Sequence, residues 1–112
     1  MSKTLKAGEH RIVLTRAVSG KLADDDKFAA FVWQSLLRFN RGDWGDVGPE
    51  DWEYNDQDLE SLNNGGWYGR ILANYKFTRC YEECHRITVW IIRNTADEDG
   101  TQAITVLFPS EY

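Results

Sequence analysis

Cys80-Tyr81-Glu82-Glu83-Cys84-His85 places two thiols and an imidazole within six residues, a donor set that suits zinc. His10 or a carboxylate is the available fourth ligand, but the chain has no second ligand pair at metal-site spacing. An ordinary hairpin loop fits the same six residues, and so does a disulfide between Cys80 and Cys84. If the cluster is chemical, the chain is a small metal- or thiol-dependent enzyme centred on Cys80, Cys84 and His85.

Other chemistries have less to work with. His10 and His85 are the only imidazoles, so a His-based nucleophile pair must use one of them, and no G-x-S-x-G turn is present. Asp43 and Asp46 could share a Mg²⁺ ion, although Asp in a glycine-rich turn more often caps its own backbone. Gly42, Gly45 and Gly48 do not match a phosphate-binding loop, and no Lys follows them. On these grounds no catalytic residue, metal ligand or cofactor is assigned.

The strongest pattern is electrostatic. Between Gly42 and Gly69 there are eight acids, Asp43, Asp46, Glu50, Asp51, Glu53, Asp56, Asp58 and Glu60, and no Lys or Arg. That stretch carries −8 and the rest of the chain +3, within totals of 18 acids and 13 bases. A field of this sign repels phosphates and attracts basic surfaces, which disfavours direct nucleic-acid binding through the region. Trp52, Tyr54, Trp67 and Tyr68 lie in the same stretch, and large aromatics beside charge make interface hot spots. Asp43, Asp46, Glu50, Asp51, Trp52, Glu53, Tyr54, Asp56 and Asp58 are therefore the candidate contacts to a basic partner protein. The competing reading is a solvated helix face with two or three of the aromatics in the core.

These residues need a scaffold. His10 to Ala17 is β-branched and apolar and reads as a strand over 10–17. Asp24-Asp25-Asp26 supplies an N-cap and negative charge for a helix over 25–40. Phe28, Phe31, Val32, Leu36 and Phe39 recur every three or four residues along it, which turns Phe31, Leu36 and Phe39 toward a sheet. Gly42 to Pro49 is a structured loop anchored by Trp44 and Val47. Pro49-Glu50-Asp51 opens a short helix, and a further turn or two from Asn55 to Ser61 puts Leu59 and Leu62 inward before Asn63-Asn64-Gly65-Gly66 ends it. Segments 70–77, 86–93 and 102–108 alternate with period two, and turn-rich connections such as Asn94 to Thr101 join them as an antiparallel meander. The expected fold is α+β: a small antiparallel sheet of about four strands on one main helix, with a short acidic helical insertion over 43–64.

Composition sets the outer bounds. A chain of 112 residues, 42% hydrophobic and 28% charged, suits one domain with one core. Residues 1–9 read as a loose segment and 10–112 as the domain. No apolar run approaches the ~20 residues of a membrane span, and the start lacks the apolar centre of a signal peptide. Two cysteines are too few for a disulfide scaffold, so the chain reads as a soluble, cytoplasmic protein with reduced thiols. Five tryptophans in this length exceed ordinary usage, which points to rings both in the core and at an interface.

Ile12-Val13-Leu14-Thr15, Gly42-Asp43-Trp44-Gly45-Asp46, Asn55-Asp56, Ile71-Leu72-Ala73-Asn74-Tyr75, Val89-Trp90-Ile91-Ile92 and Thr105-Val106-Leu107-Phe108-Pro109-Ser110-Glu111-Tyr112 together resemble a family of small bacterial proteins labelled plasmid-related. Its members are carried by plasmids, integrative conjugative elements and prophages. The likeness spans residues 10–112 and departs from the family at Thr78 to Arg86, where an insertion containing both cysteines lengthens a hairpin. The family has no established activity to transfer, so the resemblance implies a genetic context and no catalytic residue. That context favours a non-enzymatic accessory protein of a mobile element, acting in the host cytoplasm through its acidic face. The basic partner most in keeping with it is a host defence nuclease, which an inhibitor of the anti-CRISPR or anti-restriction kind would block at its phosphate groove. Alternatives are the Cys80, Cys84 and His85 enzyme and a self-associating structural or regulatory subunit.

Overall fold

The computed structural model describes residues 10–64, 70–80, 84–94 and 102–112. The expected loose segment 1–9, the turn at 95–101, and Trp67 and Tyr68 lie outside the described residues. The elements run β1 (His10–Leu14), α1 (Arg16–Asp24), α2 (Asp26–Asn40), α3 (Pro49–Asn63), β2 (Ile71–Cys80), β3 (Cys84–Arg93), β4 (Gln102–Leu107) and a 3-10 turn at Pro109–Glu111. This is the α+β architecture that the alternation and helical periodicity indicate, with three α-helices among the described residues in place of one main helix and a short insertion.

β2, β3 and β4 form the antiparallel meander, and β1 joins β4 in parallel, so the sheet is mixed with order β1-β4-β3-β2. The all-antiparallel expectation fails at β1 because that strand ends at Leu14 and feeds a helix. Thr15 caps α1, its hydroxyl accepting the Val18 N–H at 3.3 Å, and a parallel partner is then reached only through a long crossover. Residues 15–17 are therefore helical entry and not strand. Ser19-Gly20 conceals α1 in the sequence, since Gly is a poor helix former, yet Val18 and Leu22 stand one turn apart against the core. A Cβ at Gly20 meets nothing within 4 Å. Gly20→Ala is accordingly expected to stabilise the chain by about 0.5–1 kcal/mol, read as a higher urea midpoint at unchanged slope.

α2 is the helix expected over 25–40. Asp25 caps it, accepting the Lys27 and Phe28 N–H groups at 3.1 and 3.2 Å. Phe28, Val32 and Phe39 are buried, while Phe31 and Leu36 are partly buried at the margin of the core. Phe28, rather than Phe31, is the central ring: its centroid lies 6.0, 6.4 and 6.0 Å from those of Phe31, Phe77 and Phe108. Ile71, Ala73 and Tyr75 of β2, Val89 and Ile91 of β3, and Ile104 and Val106 of β4 complete that core. α3 is one continuous helix of 15 residues, with Pro49 at its start, instead of two short pieces. At the far end, β2 and β3 run further than their alternation indicates, to Cys80 and Cys84, which are paired in register.

Candidate functional site

The acidic stretch divides into a loop that ties the fold together and a helix that faces outward. The loop begins where Gly42, at φ 80°, turns the chain back onto α2 in a conformation that favours glycine. Arg38 Nε donates to Asp43 Oδ2 at 2.8 Å and a terminal nitrogen donates to Oδ1 at 3.2 Å, a forked pair. Asp43 Oδ1 also accepts the Gly45 N–H at 3.1 Å. The Arg38 hydrogen bond holds the Asp43 carboxyl below the usual carboxylate range and raises the guanidinium in turn, outweighing the opposing effect of burial on both. Tyr75 Oη donates to the Asp43 carbonyl at 2.7 Å, and the Arg38 guanidinium lies 5.0 Å from the centre of the Tyr75 ring. Burial, then the Asp43 charge, pushes the Tyr75 hydroxyl up, so it stays protonated as a donor.

Trp44 is 0% exposed. Its ring meets Phe39 edge-on at 5.3 Å, and its indole N–H donates to Asp56 Oδ1 at 2.9 Å. From there the loop pairs with the outer edge of β2. The Asn74 N–H donates to the Trp44 carbonyl at 3.1 Å, and the Asp46 N–H donates to the Asn74 carbonyl at 2.7 Å. Asn55 serves the next step of the same edge: its Nδ2 donates to the Leu72 carbonyl at 2.8 Å and its Oδ1 accepts the Leu72 N–H at 3.4 Å. The sequence pattern reads Asn55 as the start of a further helical turn; in the structure it lies inside α3 and serves the β2 edge instead. The signal was available, since Asn55 stands four and seven residues before Leu59 and Leu62 on the inward stripe, and a polar group there must find a partner.

The nine candidate contacts therefore separate. Asp43 and Asp56 are engaged within the fold, and Trp52 is half-buried against the core. Asp58 is half-buried, and its charge acts on Arg93. Arg93 is a buried guanidinium that donates to Gln102 Oε1 at 2.5 Å and to His10 Nε2 at 3.4 Å. Burial lowers the Arg93 pKa and Asp58 opposes that. His10, the notional fourth metal ligand, is thus occupied at the end of the sheet by Arg93. Asp46 is exposed, 3.9 Å from Lys76. Glu50, Asp51, Glu53 and Tyr54 share the solvent side of α3, and Tyr54 is 64% exposed.

Beside them a cleft of about 240 Å³ is lined by Val47, Asp51, Tyr54, Asn55, Arg70 and Leu72. Arg70 donates to the Tyr112 hydroxyl and lies 5.3 Å over that ring, which draws it toward the chain's last residue. The lining sets one carboxylate, Asp51, the open Tyr54 ring and the apolar Val47 and Leu72 beside the Arg70 guanidinium, an arrangement that suits a partner's aromatic side chain.

The side chains of Cys80, Cys84 and His85 lie outside the described residues. Among the described residues no group of three or more His, Cys, Asp or Glu side chains could hold a metal ion, and no helix is long and apolar enough to cross a membrane. Comparison of the chain with protein-family models, with curated proteins and with solved structures gives no match.

Proposed function

We propose that this chain is a non-enzymatic binding protein whose outward α3 face docks on a basic groove of a partner protein. One observation carries the reading: Glu50, Asp51 and Glu53 surround the exposed Tyr54 on a single helix, within a stretch that holds no Lys or Arg. Carboxylates at helical spacing around a flat ring offer a phosphate-binding groove both charge and a stacking surface. The same charge opposes direct contact with nucleic acid. The resemblance to plasmid-related proteins supplies the setting, an accessory protein of a mobile element in a bacterial cytoplasm, and a defence nuclease of the CRISPR or restriction kind is the partner in keeping with it.

The test is inhibition of such nucleases, or protection of a plasmid from them, by wild type and by Glu50→Lys/Asp51→Lys/Glu53→Lys. The triple variant is expected to associate about tenfold or more slowly. Wild-type association weakens as salt shortens the Debye length from about 10 Å at 0.1 M to about 3 Å at 1 M. Glu50 and Asp51 also occupy the first turn of α3, where reversal costs about 0.3–1 kcal/mol each through the helix dipole, so the melting temperature falls by several degrees while the variant stays folded at the assay temperature. Tyr54→Ala speeds dissociation, whereas Trp52→Ala, at a ring packed on the core, mainly lowers stability. A triple variant as potent as wild type rejects the acidic-face mechanism.

A further inference from the structure

α2 carries a second stripe that the fold leaves uncovered. Its inward side is given to Phe28, Val32, Ser35 and Phe39. On the outward side Trp33 is 50% and Leu37 64% exposed, and the stripe extends through the exposed residues Asp26, Ala30 and Arg41. Asp26, Ala30, Trp33 and Leu37 step along the helix by three or four residues, so they share one face, and Arg41, the C-cap residue just past Asn40, continues the spacing at its end. Neither Asp26 nor Arg41 makes an ion pair among the described residues.

The order of the five makes the stripe complementary to its own reverse. When an antiparallel copy is centred between Trp33 and Gln34, Asp26 stands opposite Arg41, Ala30 opposite Leu37, and the two Trp33 rings meet beside the axis. Acid faces base and small faces large, and two-fold symmetry repeats each match on the other side of the axis. A parallel pairing in register sets Asp26 against Asp26 and Arg41 against Arg41, like charges that repel. We infer that two copies of this chain associate as a two-fold dimer through antiparallel α2 helices. A 15-residue helix is about 22 Å long, so the pair buries less than the roughly 1,600 Å² of a standard interface and separates on dilution. The acidic side of α3 takes no part in this contact, so the dimer stands or falls apart from the proposed partner binding.

Sedimentation equilibrium of the full chain, from low micromolar to millimolar concentration, is expected to show a monomer–dimer mass shift. Leu37→Glu should weaken the dimer about tenfold or more. Asp26→Arg and Arg41→Asp should each weaken it, and the double swap, which rebuilds both pairs with reversed sign, should restore it. Thermal melting confirms that each variant is folded, and Leu37→Gln replaces Leu37→Glu if the latter is not. A mass that stays monomeric throughout, a dimer indifferent to the Leu37 substitution, or a double swap no tighter than the single variants overturns the inference.

Discussion

Trp44→Ala is expected to lower the unfolding free energy by about 3–5 kcal/mol, the cost of emptying a large buried aromatic site. That is a large share of the roughly 5–15 kcal/mol that holds a domain folded. Three structural facts place the effect at the upper end. The ring is 0% exposed, so the removed atoms leave a cavity that solvent does not reach. It closes the space between α2 and α3, touching Phe39 at 5.3 Å and donating to Asp56 at 2.9 Å, and truncation strips Asp56 of that donor. Its carbonyl also receives the Asn74 N–H, so a backbone that relaxes into the cavity loosens the edge of β2. Trp44→Phe separates these contributions, because it keeps an aromatic body and removes the indole N–H. Urea unfolding followed by circular dichroism measures both; a midpoint shift for Trp44→Ala worth less than about 1 kcal/mol would contradict this assignment, since it is the size expected of a surface change.

Gly45→Ala should be comparably damaging for a different reason. Gly45 has φ +74°, a backbone region that costs other residues of order 1–3 kcal/mol. Strain is the smaller problem. A Cβ at this position falls inside the contact radius of the Asn74 carbonyl oxygen and 2.8 Å from Tyr75 Cδ1. The oxygen belongs to the backbone of β2 and is itself accepting the Asp46 N–H, so it cannot swing aside without parting the loop from the strand. The expected loss is about 3 kcal/mol or more, beyond the ordinary range for one substitution. Gly48→Ala is the control: φ is −66° and a Cβ there meets nothing within 4 Å, so its cost stays within about 1 kcal/mol. Equal shifts for the two variants would sink the close-approach argument.

The parts of the fold legible in the sequence are those decided by neighbours a few residues apart. α2 announced itself because Asp25 caps it and Phe28, Val32 and Phe39 repeat at its period. β2, β3 and β4 did so by alternation. Alternation states which face a residue takes and not which strand lies beside it, so the parallel union of β1 with β4 was invisible. Gly20 hid α1, and Asn55 reads as the start of a further helical turn, whereas it lies inside α3 and points inward to Leu72. The candidate site shows the same division. Its charge excess was plain from counting, but Asp43 and Asp56 lose their freedom to Arg38 and Trp44. Of the two aromatics weighed on α3, Tyr54 is the exposed ring and Trp52 the packed one, a distinction that only the helix's rotation against the sheet decides.

The strand order sets a timetable for synthesis. Among the described residues β1 pairs with β4 and with no other strand, and the register joins His10 to Gln102. A ribosome adding about 5–20 residues each second needs on the order of ten seconds to cover that gap. Throughout it the nascent β1 has no native neighbour, and α1 to α3 and the β2–β3 hairpin can gather first. Insertion of β4 between β3 and β1 then closes the sheet in one late, long-range step, which makes topology, more than chain length, the brake on the folding rate.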